Sequence, residues 1–287
     1  MRHYVTLFDK NYLTKGVSLY QSLIRHSSED FRLWVLALDG HVGMYLRHLI
    51  KNNVLTKMEV VDLARMPDEV YQQKRARPWN YFCFGLAPEF LMYMMHDLNQ
   101  PVTYLDADTY FFQDPKLVFD EMGDREVGIV DHNFPRHDYD RLIVNGKFNV
   151  SLVSFTTSPL SRQLLKAWRD GVRKKCDKES CGDQLFLDQF PNIMGDRLHI
   201  FDGIRIGAAP WNVYTYKTEP GPKVQNNDLI YYHYHEFKDT GNGNYYYTGY
   251  PLTFDNIEYI YKPYLECYKR VQVHIDKKRD EGFFYGY

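Results

Sequence analysis

Apolar positions along this chain come in short runs that switch between two periods. Residues 3–8 alternate and end in Leu7-Phe8, as a strand with a buried face does. Residues 11–25 instead carry Leu13, Val17, Leu19-Tyr20 and Leu23-Ile24, near the spacing of a helix. Further strands are predicted over 31–38, 57–61, 102–105, 127–130 and 150–155. Helices are predicted over 44–50, 67–74, 88–96 and 158–174, the last opened by Ser158-Pro159, and another helix begins over 183–189. Strand–helix alternation of this kind predicts an α/β fold: a largely parallel sheet with helices on both faces. Residues 210–251 are rich in Tyr, Asn, Gly and Pro and read as a loop-rich wall, with one short strand over 229–234. Residues 255–281 read as a closing helix.

Composition narrows the class without naming it. The 287 residues are 44 % hydrophobic and 25 % charged, enough for one large α/β domain or two small ones. A formal net charge of -2 excludes a strongly basic nucleic-acid binder, so no nucleic-acid partner is expected. No apolar run reaches the roughly 18 residues of a spanning helix. Met1 to Asp9 has no signal-type apolar region and reads as a first strand, which points to a cytoplasmic protein. The cysteines Cys83, Cys176, Cys181 and Cys267 then read as reduced thiols. Cys176 and Cys181 bracket a charged loop and are near enough in sequence to bridge, but no second Cys/His pair accompanies them as zinc would need. The oligomeric state is left open.

Chemistry enters at Tyr104-Leu105-Asp106-Ala107-Asp108, where an apolar run stops. On an extended strand, two carboxylates two residues apart share a face. At the carboxyl end of a strand in an open α/β sheet they stand where ligands bind. Hard oxygen ligands there suit Mg²⁺ or Mn²⁺ held together with a phosphate-bearing substrate. Asp-x-Asp is common as a solvated loop or helix cap, so the motif alone is weak. Other clusters accompany it in order: Phe112-x-Asp114-Pro115, Phe148-Asn149, Gly182-Asp183-Gln184-x-x-Leu187-Asp188, Pro210-Trp211-Asn212 and Tyr231-Tyr232-His233-Tyr234-His235.

This ordered set resembles the retaining glycosyltransferases of GT-A fold related to galactosyltransferases and glycogenin, and among them bacterial enzymes of surface-polysaccharide synthesis. The resemblance spans residues 3 to 240. It implies a GT-A fold with one mostly parallel mixed sheet, over 1–254, with a C-terminal helical extension over 255–287. It implies transfer of a hexose-type sugar from a nucleotide-sugar donor, UDP-linked, to a saccharide or lipid-linked acceptor, with peripheral contact at an inner membrane face.

Residue by residue, the resemblance implies a base and ribose site formed by Thr6, Leu7, Phe8, Asp9 and Tyr12, although Asp9 is equally suited to cap a helix. Asp106 and Asp108 would hold the metal, with Asp106 and Ala107 beside the donor. His233 would complete the metal shell, and His235, on the same strand face, is its competitor. Lys238 would add positive charge near the diphosphate, unless it is an ordinary exposed lysine. Asp131 and Asn149 match sugar-contacting residues, and Asp183 and Gln184 match the pair beside the anomeric carbon. Gln184 is a poor nucleophile, so the role implied for it is support of positive charge through its carbonyl dipole.

The chain departs from the pattern twice. The helix before the Asp pair reads Phe84-Gly85-Leu86-Ala87-Pro88-Glu89 and lacks the basic residue many relatives have; Lys74, Arg75 or Arg77 could replace it. Ser151 stands where relatives often have Gly. Two other readings compete: an inverting transferase with Asp131 or Asp183 as base, and a sugar-binding scaffold without turnover. Asp108→Ala is expected to stop transfer while the protein stays folded.

Overall fold

The structure is a computed structural model and describes residues 1–177 and 182–280. Strand β1 (Arg2–Phe8) is buried from His3 to Phe8 because neighbours cover both of its faces and both of its edges. β2 (Phe31–Ala37) and β3 (Met58–Asp62) add to one side in parallel, and β4 (Val102–Leu105) adds to the other, also in parallel. After the short β5 (Thr109–Phe111), the chain supplies β6 (Val127–Asp131), β7 (Phe148–Phe155) and β8 (Leu198–Phe201). The seven-stranded order is β3-β2-β1-β4-β7-β6-β8. β7 runs antiparallel to both neighbours, which makes the predicted sheet mixed. The order reverses between β1 and β4, so a crevice is expected outside their carboxyl ends.

Helices α1 (Leu13–His26) and α2 (Gly40–Lys51) cover one face. α3 (Asp68–Ala76) and α4 (Trp79–Phe84) lead into α5 (Leu86–Leu98), which covers the other face. α6 (Lys116–Met122), α7 (Asp140–Asn145) and α8 (Pro159–Lys174) follow. α8 shows how sequence sets an element. Ser158 caps it by accepting from the Ser161 N–H, Pro159 fits its first turn, and its apolar stripe sinks Trp168 against Phe155 and Phe190. Burying that indole contributes on the order of 3 kcal/mol.

The predicted elements appear within a few residues of their expected bounds. Three differences matter for the site. β5 is a strand where no element was predicted. The expected helix at 183–189 is a 3₁₀ segment, Gln184–Gln189. The closing helix, Lys262–Asp280, is preceded by a π-helical stretch, Ile257–Tyr261. It packs on α1, where Thr14 Oγ1 donates to Gln272 Oε1 at 2.5 Å. Much of the tyrosine excess sits there: Tyr234, Tyr261 and Tyr264 are fully buried, with Tyr234 and Tyr264 stacked at 3.8 Å. Among the described residues no helix is long and apolar enough to cross a membrane.

Candidate active site

All four residues of β4 are buried, and its ladder with β7 ends at Leu105 opposite Leu152. The Asp106 N–H still donates to the Ser151 carbonyl at 3.0 Å, and then the chain turns, with the Thr109 N–H returning to the Asp106 carbonyl at 3.1 Å. The two acids therefore lie on a turn and not, as expected, on one face of an extended strand. The turn itself brings them together. β5 then pairs antiparallel with the late strand Tyr231–His233, and Thr109 stands opposite His233. The Tyr234 N–H donates to the Asp108 carbonyl at 2.8 Å and locks that register.

The register places His233 Nε2 3.2 Å from Asp108 Oδ1 and 3.7 Å from Asp106 Oδ2. One ligand atom from each of Asp106, Asp108 and His233 lies within 4.8 Å of the others. Two hard carboxylate oxygens and one imidazole nitrogen are a fitting donor set for a divalent cation such as Mn²⁺ or Mg²⁺. The Asp106 side chain is 30 % exposed and the Asp108 side chain 10 %, so Asp106 is the acid nearer the open crevice.

His235 is not part of this cluster. The strand ends at His233, and Glu236 takes a left-handed φ of +65° as the chain turns away. His235 instead packs its ring against Trp211 and Tyr250, and burial holds its pKa down to about 4.

One neighbour of the cluster was not foreseen. Lys15, only 5 % exposed, reaches from α1 and sets Nζ 3.4 Å from Asp108 Oδ2. Burial by itself would raise the Asp108 pKa, but Lys15 and then His233 outweigh it and hold the carboxyl well below its ordinary range. Asp106 moves the other way, raised by burial against the pull of His233. Its Oδ1 accepts from the Tyr104 hydroxyl at 2.9 Å. A sequence signal for Lys15 existed: Lys15, Ser18 and Ser22 recur at helical spacing as a polar stripe on the buried side of α1. Ser22 Oγ accepts from the Phe111 N–H at 3.1 Å, so the stripe also anchors β5.

On β7, the side-chain Oδ1 of the buried Asn149 accepts from the Ser151 N–H at 3.1 Å and from the Ser151 hydroxyl. Ser151 Oγ also lies 2.9 Å from the Tyr231 hydroxyl. Ser151, standing where relatives often have Gly, therefore fixes the Asn149 side-chain amide by its oxygen. Asn149 Nδ2 is buried with no hydrogen-bond partner among the described residues, and so is Asp183 Oδ2. Such orphans need a ligand or water to offset the desolvation. Burial, followed by repulsion from Asp106, pushes the Asp183 carboxyl well above its usual range.

Gln184 Nε2 donates to the Asn145 carbonyl at 2.6 Å. Asp131 Oδ1 accepts from the Asn133 N–H at 2.8 Å, and its other oxygen lies 3.7 Å from Lys147 Nζ. At the end of β1, Thr6 is fully buried and its hydroxyl lacks a partner among the described residues. Phe8 packs its ring against Gly16, whose missing Cβ leaves room for it, so only its main chain can face the crevice. Asp9 is the helix cap that the sequence allowed, accepting from the Asn11 N–H at 2.9 Å, and it also accepts from Trp79 Nε1 at 3.2 Å. Tyr12 is 42 % exposed, with Lys15 Nζ 4.1 Å from the centre of its ring. Ala107 is buried between the two acids.

Lys238 stands exposed in a hairpin, with no ion pair among the described residues. Arg77, one of the suggested basic replacements, is spent on the end of α8, donating to the Val172 and Arg173 carbonyls at 2.8 Å each. Cys176 is a buried free thiol that donates to the Tyr81 carbonyl, and burial pushes its pKa up to about 12. Cys181, its suggested partner, lies outside the described residues. A cavity of about 350 Å³ opens elsewhere, between α1, α2 and the C-terminal helix; Val17, Leu55, Tyr110 and Arg270 line it, and none of the expected site residues does.

No protein-family model matches the chain. YfnD of Bacillus subtilis (strain 168), an uncharacterised protein, is 28 % identical over 93 % of this chain and 89 % of its own length. YfnF of the same organism is 25 % identical over 82 % of this chain and 81 % of its own. Among solved structures, mouse xyloside xylosyltransferase 1 superposes with a TM-score of 0.53 at 17 % identity, over 88 % of this chain and 99 % of that one. The glycosyltransferase GlyE of Streptococcus pneumoniae TIGR4 gives a TM-score of 0.58 at 14 % identity, over 98 % of this chain and 64 % of that one. The galactosyltransferase LgtC, solved with donor and acceptor sugar analogs, gives 0.51 at 14 % identity, over 93 % and 95 %. The fold implied by the sequence resemblance is thus the one observed: the chain has the GT-A fold of glycosyltransferases.

Proposed function

We propose that this protein is a metal-dependent retaining glycosyltransferase. It moves a hexose-type sugar from a nucleotide-diphosphate donor, UDP-linked, to a saccharide or lipid-linked saccharide acceptor of surface-polysaccharide synthesis, at the cytoplasmic face of a membrane. The observation that carries this reading is the Asp106–Asp108–His233 cluster at the reversal point of the sheet. The orphaned Asn149 amide and Asp183 carboxyl support it as polar groups awaiting a ligand.

A divalent cation held by Asp106, Asp108 and His233 would supply Lewis-acid neutralisation of the leaving diphosphate. The protein's own groups do the rest. Tyr12 offers an aromatic face to the base, and Asp9 an acceptor beside it. Asn149 Nδ2 donates to a sugar hydroxyl, its plane fixed by Ser151. Asp183, held above the usual carboxylate range by its burial, serves as a hydrogen-bond partner of the sugar and is a weak nucleophile. That favours attack of the acceptor on the same face the diphosphate leaves. Gln184, tied to Asn145, turns its carbonyl dipole to the charge that develops at the anomeric carbon. Asp131, braced by Lys147, bonds the sugar's remaining hydroxyls. The acceptor's proton passes to a departing phosphate oxygen, so no strong protein base is required.

The test is a panel of nucleotide sugars incubated with the protein and Mn²⁺, with EDTA as the control, followed by NMR of the product's anomeric proton. Metal-dependent release of the nucleotide with retained configuration is expected. No consumption of any donor, together with no Mn²⁺-dependent UDP binding by calorimetry, would refute the reading and leave a scaffold.

A further inference from the structure

Among the described residues, Lys15 is the one buried cation whose ammonium enters the acidic cluster from outside the expected ligand set. It is 5 % exposed, and its only ion pair among the described residues is the one to Asp108 at 3.4 Å. On its other side lies the Tyr12 ring, 4.1 Å away. The ammonium therefore stands between the acids that would hold a metal and the aromatic face that would hold a base. Lys15 thus stands as a positive charge directly against one of the two carboxylates in the free protein. An entering dication must compete with a positive charge already seated on one of its ligands.

We propose that Lys15 is a tethered counter-cation that makes binding of the divalent metal depend on the nucleoside diphosphate. This rests on the metal-site reading above. Without nucleotide, Lys15 occupies Asp108 and metal affinity is low. When a diphosphate arrives with the metal, its oxygens accept the ammonium that the metal displaces from Asp108. Each ligand then strengthens the other by the same factor, because the coupling is reciprocal. No bond is made or broken. Lys15 moves from one anion to another and remains buried throughout, so no charge is stranded.

The test is a Mn²⁺ titration of the full chain, read by the electron paramagnetic resonance of free Mn²⁺, with and without UDP. Wild type is compared with Lys15→Met and with Lys15→Gln, the latter a polar side chain of similar reach in case the first does not fold. Either variant is expected to bind Mn²⁺ alone at least about tenfold more tightly than wild type. The gain in Mn²⁺ affinity produced by UDP is expected to shrink by a comparable factor. If wild type and a folded variant bind Mn²⁺ within twofold of each other, the role of Lys15 is refuted while the metal site stands. If none of the three binds Mn²⁺, with or without UDP, both readings are refuted.

Discussion

Asp108 was expected to be dispensable for folding, because a metal ligand adds little to a core. Its environment attaches a stability cost to that expectation. The Lys15 and Asp108 side chains are 6 % and 10 % exposed and 3.4 Å apart. At an effective dielectric constant of about 20 their attraction is about 5 kcal/mol before desolvation is counted. Removing one partner strands the other in a site that excludes water, which typically costs about 3–5 kcal/mol. Asp108→Asn leaves Lys15 facing a neutral amide while His233 keeps Asp106, and we expect it to lose about 3 kcal/mol of unfolding free energy. Lys15→Met leaves Asp108 with His233 Nε2 at 3.2 Å as its remaining side-chain partner, so a smaller loss of about 2 kcal/mol is expected. The double variant strands neither charge and should lie close to the milder single. The cycle should then show a coupling of about 2 kcal/mol or more. The assay is urea unfolding of the four proteins at neutral pH in EDTA, with the m-values checked for agreement. Effects that add to within about 0.5 kcal/mol would refute the reasoning, since independent sites behave that way.

Two further outcomes follow from the same geometry. His132 is buried between Phe134 and Trp211, and burial holds its pKa down to about 3. The unfolded chain takes up a proton near pH 6.5 and the native one does not, so acid favours unfolding: wild type should lose about 1.4 kcal/mol per unit below pH 6.5 from this residue. Urea unfolding from pH 6.5 to 4.5 should show a shallower slope for His132→Phe, whose ring can keep the stack, and equal slopes would discard the assignment. At the cluster, His233→Ala should weaken Mn²⁺ binding in the presence of UDP by about tenfold or more, while His235→Ala should leave it within about threefold; equal losses measured by calorimetry would show that the register does not select the ligand.

What the sequence made legible, and what it hid, divides along one physical line. Elements whose burial is set by their own periodicity were readable: β1, β4, β7 and α8 all carry an apolar pattern that no other partner needs to interpret. β5 was not readable. Thr109-Tyr110-Phe111 is too short to show a period, and it is a strand because a partner from late in the chain pairs with it. β8, Leu198-His199-Ile200-Phe201, is likewise a strand because β6 lies beside it. Pairing with a strand distant in the sequence leaves little local trace, and no element was predicted at either place.

The site divides in the same manner. The Asp106–Asp108 pair was visible as chemistry at the end of an apolar run, and its convergence does not depend on the strand geometry first assigned to it. The choice between His233 and His235 was closed to inspection because both fit a strand-face argument. The Tyr234 N–H reaching the Asp108 carbonyl and the left-handed Glu236 place His233, and not His235, beside the two acids, and these are properties of the fold and not of either histidine. Lys15 was hidden for a related reason. A lysine in an amphipathic helix reads as solvent-facing, and only the polar stripe with Ser18 and Ser22 argues otherwise. That stripe ties α1 to β5 through Ser22 and to the acidic turn through Lys15, so the helix after the first strand does more than cover the sheet. It sets the charge of the cluster from behind. A chain with the same Asp pair and the same histidine, but an apolar residue at position 15, would keep the ligands and lose the balance that holds them in the metal-free protein.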